Sequence, residues 1–398
     1  MLGLHLPWLE LSIATPILGL IWLWRVRDPE QLQQRALIVT GVTLVWTIGA
    51  WSDFTSLHTF AAHDRWDLLS TWLGEEGVVI DALSAPLLPL AALLFFLMTL
   101  ATPRTKVRRF PFGATLLSET LVLAMLSTRL PALLVTLLIL QVLPPLWEMR
   151  QRGRPVRAFV SHMGAFALLA VIGYLLASRN PPESPSAIVG MAILGAAVLV
   201  RSGTVPFHCW VTDLFENATF GTSLLFVVPM SGAYLLMRLV LPNAPEWILQ
   251  AIATVSLVTA VYAAGMALVQ REARRFFAYI FLSHASLVLI GLEVVTPMAL
   301  TGGLYVWLAI GLTMAGFGLT LRAVESRTGR ISLADYHGLY EHMPSLAVFF
   351  LLTGLASIGF PGTVGFVGAE LLVDGTAQSS AVTGMMIVLA AALNGISV

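Results

Sequence analysis

The sequence predicts an all-α polytopic membrane protein of about thirteen transmembrane helices, with several of the helices discontinuous. Three observations predict it. Of 398 residues, 57% are hydrophobic and 11% charged, against about 25% charged in an ordinary soluble domain. Apolar segments recur at the length of about 20 residues that a helix needs to cross a bilayer core. The connections between them alternate between arginine-rich and arginine-poor.

Taken in order, the apolar segments lie near 6–24, 36–52, 82–102, 111–128, 130–148, 156–178, 187–206, 219–241, 247–269, 275–296, 299–321, 344–372 and 379–398. No charged region precedes the first and no small-residue cleavage site follows it, so it reads as a helix and not a cleaved signal. The longest polar stretch, about 53–80, carries Trp66 and Trp72 and reads as a loop at the membrane interface. The last span runs into AALNGISV with no polar cap, which reads as a C-terminal truncation of a longer bundle.

Basic residues follow the first, third, fifth, ninth and eleventh spans. They are Arg25, Arg27 and Arg35; Arg104, Lys106, Arg108 and Arg109; Arg150, Arg152, Arg154 and Arg157; Arg271, Arg274 and Arg275; and Arg322, Arg327 and Arg330. The other connections carry Asp64, Asp67, Glu75, Glu76, Glu246 and Asp374. The positive-inside rule places the basic loops in the cytoplasm and the N-terminus outside, in a multi-pass protein of the cell inner (plasma) membrane.

Composition also excludes. The formal net charge is zero, so nothing global attracts nucleic acid. A single cysteine, Cys209, rules out an internal disulfide and a multi-cysteine metal site, and reads as a small apolar filler. No nucleotide-binding glycine loop or metal cluster is present, so no catalytic residue, cofactor or metal of the chain's own is expected. Lys106 is the only lysine. Lysine can lose its proton when buried, whereas arginine stays charged.

Charges within spans are costly and are therefore candidates for function. Glu119, Arg201, His284 and Glu370 qualify, with the polar Gln141. His162 and Glu148 lie near helix ends, where solvated heads are the default. Pro144, Pro206, Pro229 and Pro361 interrupt or end apolar segments. Proline frees a backbone carbonyl that protein or water must satisfy, and broken helices mark ion paths in transporters. The seventh and twelfth spans both break near an ionisable residue, Arg201 and Glu370. A separation of five spans fits an inverted five-helix repeat. The chain then divides into helices 1–3 with an external loop (1–108), a first repeat (109–242) and a second repeat (243–398).

Several stretches carry a family resemblance. VRSGTVPFHCWVTDLFENATFGTSLL resembles the K-x-x-x-x-P-L-H-x-W-L-P-D-A motif of the antiporter-like subunits of NADH:quinone oxidoreductase (complex I, M-type and L-type) and of Mrp-type cation/proton antiporters. REARRFFAYIFLSHASLVLIG resembles that family's K-R-x-x-A-Y-S-S-x-S-H-x-G stretch, with Arg275, Ala278, Tyr279, Ser283 and His284 in place. GLASIGFPGTVGFVGAELL, VVIDALSAPLL and SLADYHGLYEHMPSLAVFFLL resemble three more of its signatures, in the family's order. The serine–histidine pair leans toward the M-type subunit. The resemblance implies two inverted five-helix repeats and a polar axis that conducts protons or monovalent cations. It also implies other membrane subunits, with redox or antiporter subunits, as partners.

Carried over by position, the family's fifth-span glutamate falls at or beside Gln141, and its seventh-span lysine becomes Arg201, with His208 in the histidine place. The eighth-span lysine falls near Met230, and the eleventh-span site near Ile310 to Met314, where nothing ionises. Glu370 stands one residue after the family's glutamate position. One reading is a translocating subunit with a modified route through Glu119, His208, His284 and Glu370 around a fixed Arg201. Another is a structural or coupling subunit that has lost conduction. A third is the proton-conducting subunit of a bicarbonate-uptake complex.

Overall fold

Helix start and stop signals place most elements, and small residues decide how closely they pack. The computed structural model describes residues 2–64, 70–74, 76–103, 106–294 and 296–398. Trp66, Asp67, Glu75 and Arg104, used above, lie outside the described residues. Contacts divide the chain into two units, Met1–Gly153 and Arg154–Val398.

The first unit holds α1 (Trp8–Trp24), α2 (Pro29–Ser56), α3 (Ser70–Leu73), α4 (Ser84–Leu100), α5 (Phe112–Leu126), α6 (Pro131–Leu140) and α7 (Leu143–Gln151). α2 begins well before the apolar segment it contains. The Asp28 side chain accepts the Glu30 N–H and Pro29 occupies the first turn, a strong start signal that carries the helix beyond its apolar core.

The stretch 53–80 is not simply a loop. Strands β1 (Leu2–Gly3), β2 (Ala61–His63) and β3 (Val79–Asp81) form a sheet in that order, β1 parallel and β3 antiparallel to β2. Asp64 is fully buried, and its carboxylate accepts the N–H groups of Leu9 at 3.2 Å and Glu10 at 2.7 Å, closing the start of α1. Asp81 accepts from the Ser84 N–H at 2.9 Å at the start of α4 and pairs with Arg129 at 2.7 Å. That geometry accounts for the aspartate and serine in IDALS.

The second unit holds α8 (Arg157–Arg179), α9 (Pro185–Ser202), α10 (Cys209–Asn217), α11 (Phe220–Val227) and α12 (Ser231–Leu235), the last running into a π-helical turn at Leu236–Val240. It continues with α13 (Glu246–Leu268), α14 (Ala273–Glu293), α15 (Pro297–Thr328), α16 (Leu339–His342), α17 (Pro344–Ser357), α18 (Val364–Ala377) and α19 (Ala381–Ser397). From Phe276 onward α14 is buried on all sides, as a largely apolar helix face-to-face with neighbours all round must be. α15 and α18 approach until backbone meets backbone. A Cβ on Gly302 would lie 2.5 Å from the Leu372 nitrogen, and one on Gly375 2.4 Å from the Ala299 nitrogen. Close approach through small residues is how membrane helices gain contact without a hydrophobic driving force.

Among the described residues, eight helices are long and apolar enough to cross a membrane, and five shorter apolar helices accompany them.

Candidate functional site

The seventh apolar segment ends at Ser202. Gly203 takes a left-handed conformation (φ 70°) and its N–H returns to the last carbonyls of α9, a conformation that favours glycine. Thr204 to His208 then separate α9 from α10, and the Val205–Pro206 bond is cis. Beyond α10 the chain breaks again at Pro229 and Met230, between α11 and α12. A third interruption in this unit, Ile358 to Thr363, contains Pro361 and separates α17 from α18. In the first unit α6 gives way to α7 at Gln141 and Val142, with Pro144 in the first turn of α7.

Arg201 lies on the last turn of α9 and is 3% exposed. Its guanidinium sits 4.0 Å above the Phe226 ring and 5.9 Å from that of Trp210. Among the described residues its Nε and Nη2 are buried without hydrogen-bond partners, as are the hydroxyls of Ser202 and Ser231. Trp210 donates its indole N–H to the Val200 carbonyl at 2.9 Å, which holds α10 under the end of α9. A cavity of about 20 Å³ opens beside these groups, bordered also by Met230 and Ala285. It has room for about one water, and unpartnered polar groups are what a buried water needs. The position that the family gives to its eighth-span lysine, near Met230, therefore borders the Arg201 cavity but carries a thioether.

α14 forms another wall of this cavity through Phe281 and Ala285, and His284 lies between them in sequence. His284 is 5% exposed and its Nε2 has no partner. Beside it, the Ser283 hydroxyl donates to the Ala260 carbonyl and accepts from the Asn394 amide at 2.8 Å, joining α14 to α13 and α19. His208 lies at the N-terminus of α10, its ring centroid 5.3 Å from that of Tyr262 and 6.1 Å from that of Tyr279.

The second unit thus gathers Arg201, Ser202 and Ser231 around one interrupted helix pair, with His284 next in sequence to Ala285 of the cavity wall. It does not bring Glu370 there. α18 turns Gly368, Leu372 and Gly375 toward α15, which leaves Glu370 exposed on another face.

Within the first unit, Glu119 on α5 is fully buried and both carboxylate oxygens lack partners. Gln141 is 4% exposed and its amide reaches the Leu121 carbonyl at 3.4 Å and the Met125 sulfur at 3.2 Å, both on α5. Two residues depart from the sequence reading. Glu148 is buried and paired with Arg152 one turn later, not solvated. Cys209 is exposed, because α10 turns Trp210 and Val211 inward instead.

Glu293 was missed by the sequence reading. It is the last residue of α14, 4% exposed, with both oxygens unpartnered. The available signal was a lone carboxylate in the apolar run LVLIGLEVV.

Interrupted membrane-length helices, with buried ionisable groups at the interruptions, define a polytopic membrane protein of the discontinuous-helix class. The chain belongs to the NADH:quinone oxidoreductase/Mrp antiporter transmembrane family, whose pattern matches residues 160–394. It is 27% identical over 418 residues to NAD(P)H-quinone oxidoreductase chain 4 of Acaryochloris marina, covering 94% of this chain and 76% of that protein. It is 29% identical over 222 residues to NADH-quinone oxidoreductase subunit M of Rickettsia prowazekii, covering 54% and 45%. Its fold is similar to a chain of respiratory complex I from Thermus thermophilus (TM-score 0.84, 21% identity, 98% of this chain and 86% of that one). It is also similar to a chain of the Mrp complex from Dietzia (TM-score 0.86, 19% identity, 98% and 78%).

Proposed function

We propose that this protein is a proton-translocating membrane subunit of a larger assembly, working with a modified residue set around a fixed positive charge. The observation that carries the reading is Arg201, a buried guanidinium with two unpartnered nitrogens beside a cavity of about 20 Å³. In that place a permanent cation biases the protonation of neighbouring groups and orients water, but hands on no proton itself. His284 and water move the proton, Glu119 serves in the first unit, and His208 serves at the α10 end. Glu370, exposed on α18, faces a neighbouring subunit. Thirteen crossings, an external N-terminus, the plasma membrane and the repeat boundaries 109–242 and 243–398 belong to the same proposal.

A second reading is a coupling subunit without conduction. It is favoured by Gln141, Met230 and the apolar stretch Ile310 to Met314, which offer nothing titratable where the family resemblance implies it. Proton uptake by inverted membrane vesicles carrying the native assembly separates the two. Under the first reading His284→Ala lowers uptake about tenfold or more, the scale of a lost proton-relay group, while the assembly stays intact on native gels. Uptake unchanged in His284→Ala and in Glu370→Gln would sink the first reading and leave the coupling role.

A further inference from the structure

A cavity of about 500 Å³ opens in the second unit where α13, the end of α14 and the turn from α18 to α19 meet. Exposed Glu246, Gln250 and Thr254 of α13 form one side, and Ser380 and Thr383 form another. Glu293 lines the cavity, yet it is 4% exposed and neither of its oxygens accepts a hydrogen bond among the described residues.

An ionised carboxylate buried without a donor is costly, so a group retained in such a place takes up a cation. The surroundings choose which. A metal ion needs several oxygens converging at ligand distance. Here the polar groups are spread over a volume far larger than an ion's cage, and many already serve local structure. The Thr254 hydroxyl donates to the Gln250 carbonyl at 2.7 Å, the Gln250 amide donates to Glu246 at 2.9 Å, and the Ser380 hydroxyl accepts the Thr383 N–H. A lone buried carboxylate at the wall of a cavity with room for many waters suits a proton. The charged groups on the surrounding elements are few. Glu246 stands at the rim on α13, and Asp374 is exposed on the last turn of α18 outside the cavity lining. α19 and the first turns of α15 carry no acidic or basic residue.

We propose that Glu293 is a proton-exchanging carboxylate at the inner end of a water-accessible entrance bounded by α13, α14 and the α18–α19 turn. Its use in transport rests on the translocating function proposed above, whereas its proton exchange with bulk water stands without it.

Infrared difference spectra of the native assembly in its membrane, recorded across a pH step in H₂O and D₂O, test both parts. The expected result is a protonated-carboxyl band that shifts in D₂O within the mixing time and disappears in the near-isosteric Glu293→Gln. It should ignore NaCl and KCl at fixed pH. Thr254→Trp, which narrows the mouth, should slow the isotope shift about tenfold, the mark of a raised access barrier of about 1.4 kcal/mol, while keeping the band. A band indifferent to Glu293→Gln, one that does not shift in D₂O, or one that responds to sodium or potassium at constant pH would overturn the proposal. Isotope exchange unchanged in Thr254→Trp would overturn the cavity as the route. Vesicle uptake distinguishes the two readings. A wild type that pumps nothing but shows the band defeats only the function above. A pumping Glu293→Gln that lacks the band defeats only the entrance.

Discussion

Arg201 holds its charge against aromatic faces, 4.0 Å from the Phe226 ring, and no carboxylate is paired with it among the described residues. Cation–π attraction of about 0.5–2 kcal/mol partly offsets the missing partner. If the charge acts electrostatically, Arg201→Met should lower vesicle proton uptake about tenfold or more, as loss of a preorganised charge does elsewhere. Arg201→Lys should retain uptake only while its ammonium stays protonated, so its uptake should fall as pH rises where the wild type's does not. Equal uptake in Arg201→Met and wild type would remove the fixed charge from the mechanism. Arg201 and His284 were legible in the sequence because a charge in an apolar run is conspicuous. Glu293 was not, because it sits where a span ends and solvent is the default. Asp374, one turn after Glu370, hints in the sequence at a water-facing side of that helix without fixing it. Which face of α18 turns inward is decided by Gly368 and Gly375 meeting α15, a contact across more than sixty residues.

Between elements, two contacts carry measurable consequences. A Cβ on Gly232 of α12 would lie 2.3 Å from the Ser202 hydroxyl at the end of α9. Gly232→Ala should therefore destabilise the protein by about 1–3 kcal/mol, the usual cost of overpacking, seen as a lower melting temperature in detergent. Ser202→Ala in the same chain removes the offending oxygen and should recover most of the loss. No recovery would show that the backbone, not the hydroxyl, limits the approach. On the arginine-rich side, Arg274 forms a two-bonded pair with Glu325 at 2.8 and 2.9 Å and donates to the Phe215 carbonyl at 2.9 Å. It thereby ties α14 to α15 and to α10. A double-mutant cycle on Arg274→Ala and Glu325→Ala should give a coupling of about 1–3 kcal/mol, typical of charge-assisted hydrogen bonds in partly buried sites. A coupling near zero would place the pair among ordinary surface ion pairs. Helices were the most legible elements, because long apolar runs have few alternatives in a bilayer. The sheet of β1, β2 and β3 was hidden: strands of two or three residues leave no period to read, and pairing across some sixty residues depends on tertiary contact. The overrun of α15 to Thr328 follows a stop signal at Gly329 (φ 85°), not the end of the apolar run.

At the scale of the molecule, charge along the chain carries the topology. Arg271 precedes α14 and Arg274 and Arg275 lie in its first turn, while Arg322 and Arg327 lie in the last turns of α15 and Arg330 beyond it. Arg275 pairs with Glu216, and Arg330 donates to the Glu216 carbonyl at 3.0 Å, so these basic segments lie on one side of the second unit. The turn before α9 holds Glu183 and α13 begins at Glu246, and neither the turn 180–184 nor the turn 241–245 carries a basic residue. Short loops rich in arginine stay in the cytoplasm. Single cysteines placed in a Cys209→Ser background should therefore divide cleanly. Those at 153 and 329 should react with a membrane-impermeant thiol reagent only after cells are opened, and those at 182 and 243 in intact cells. The reverse labelling would invert the molecule and put the Glu293 cavity in the cytoplasm. Labelling of all four from one side would show an even number of crossings between 153 and 182 and between 243 and 329, where the proposed topology needs an odd number.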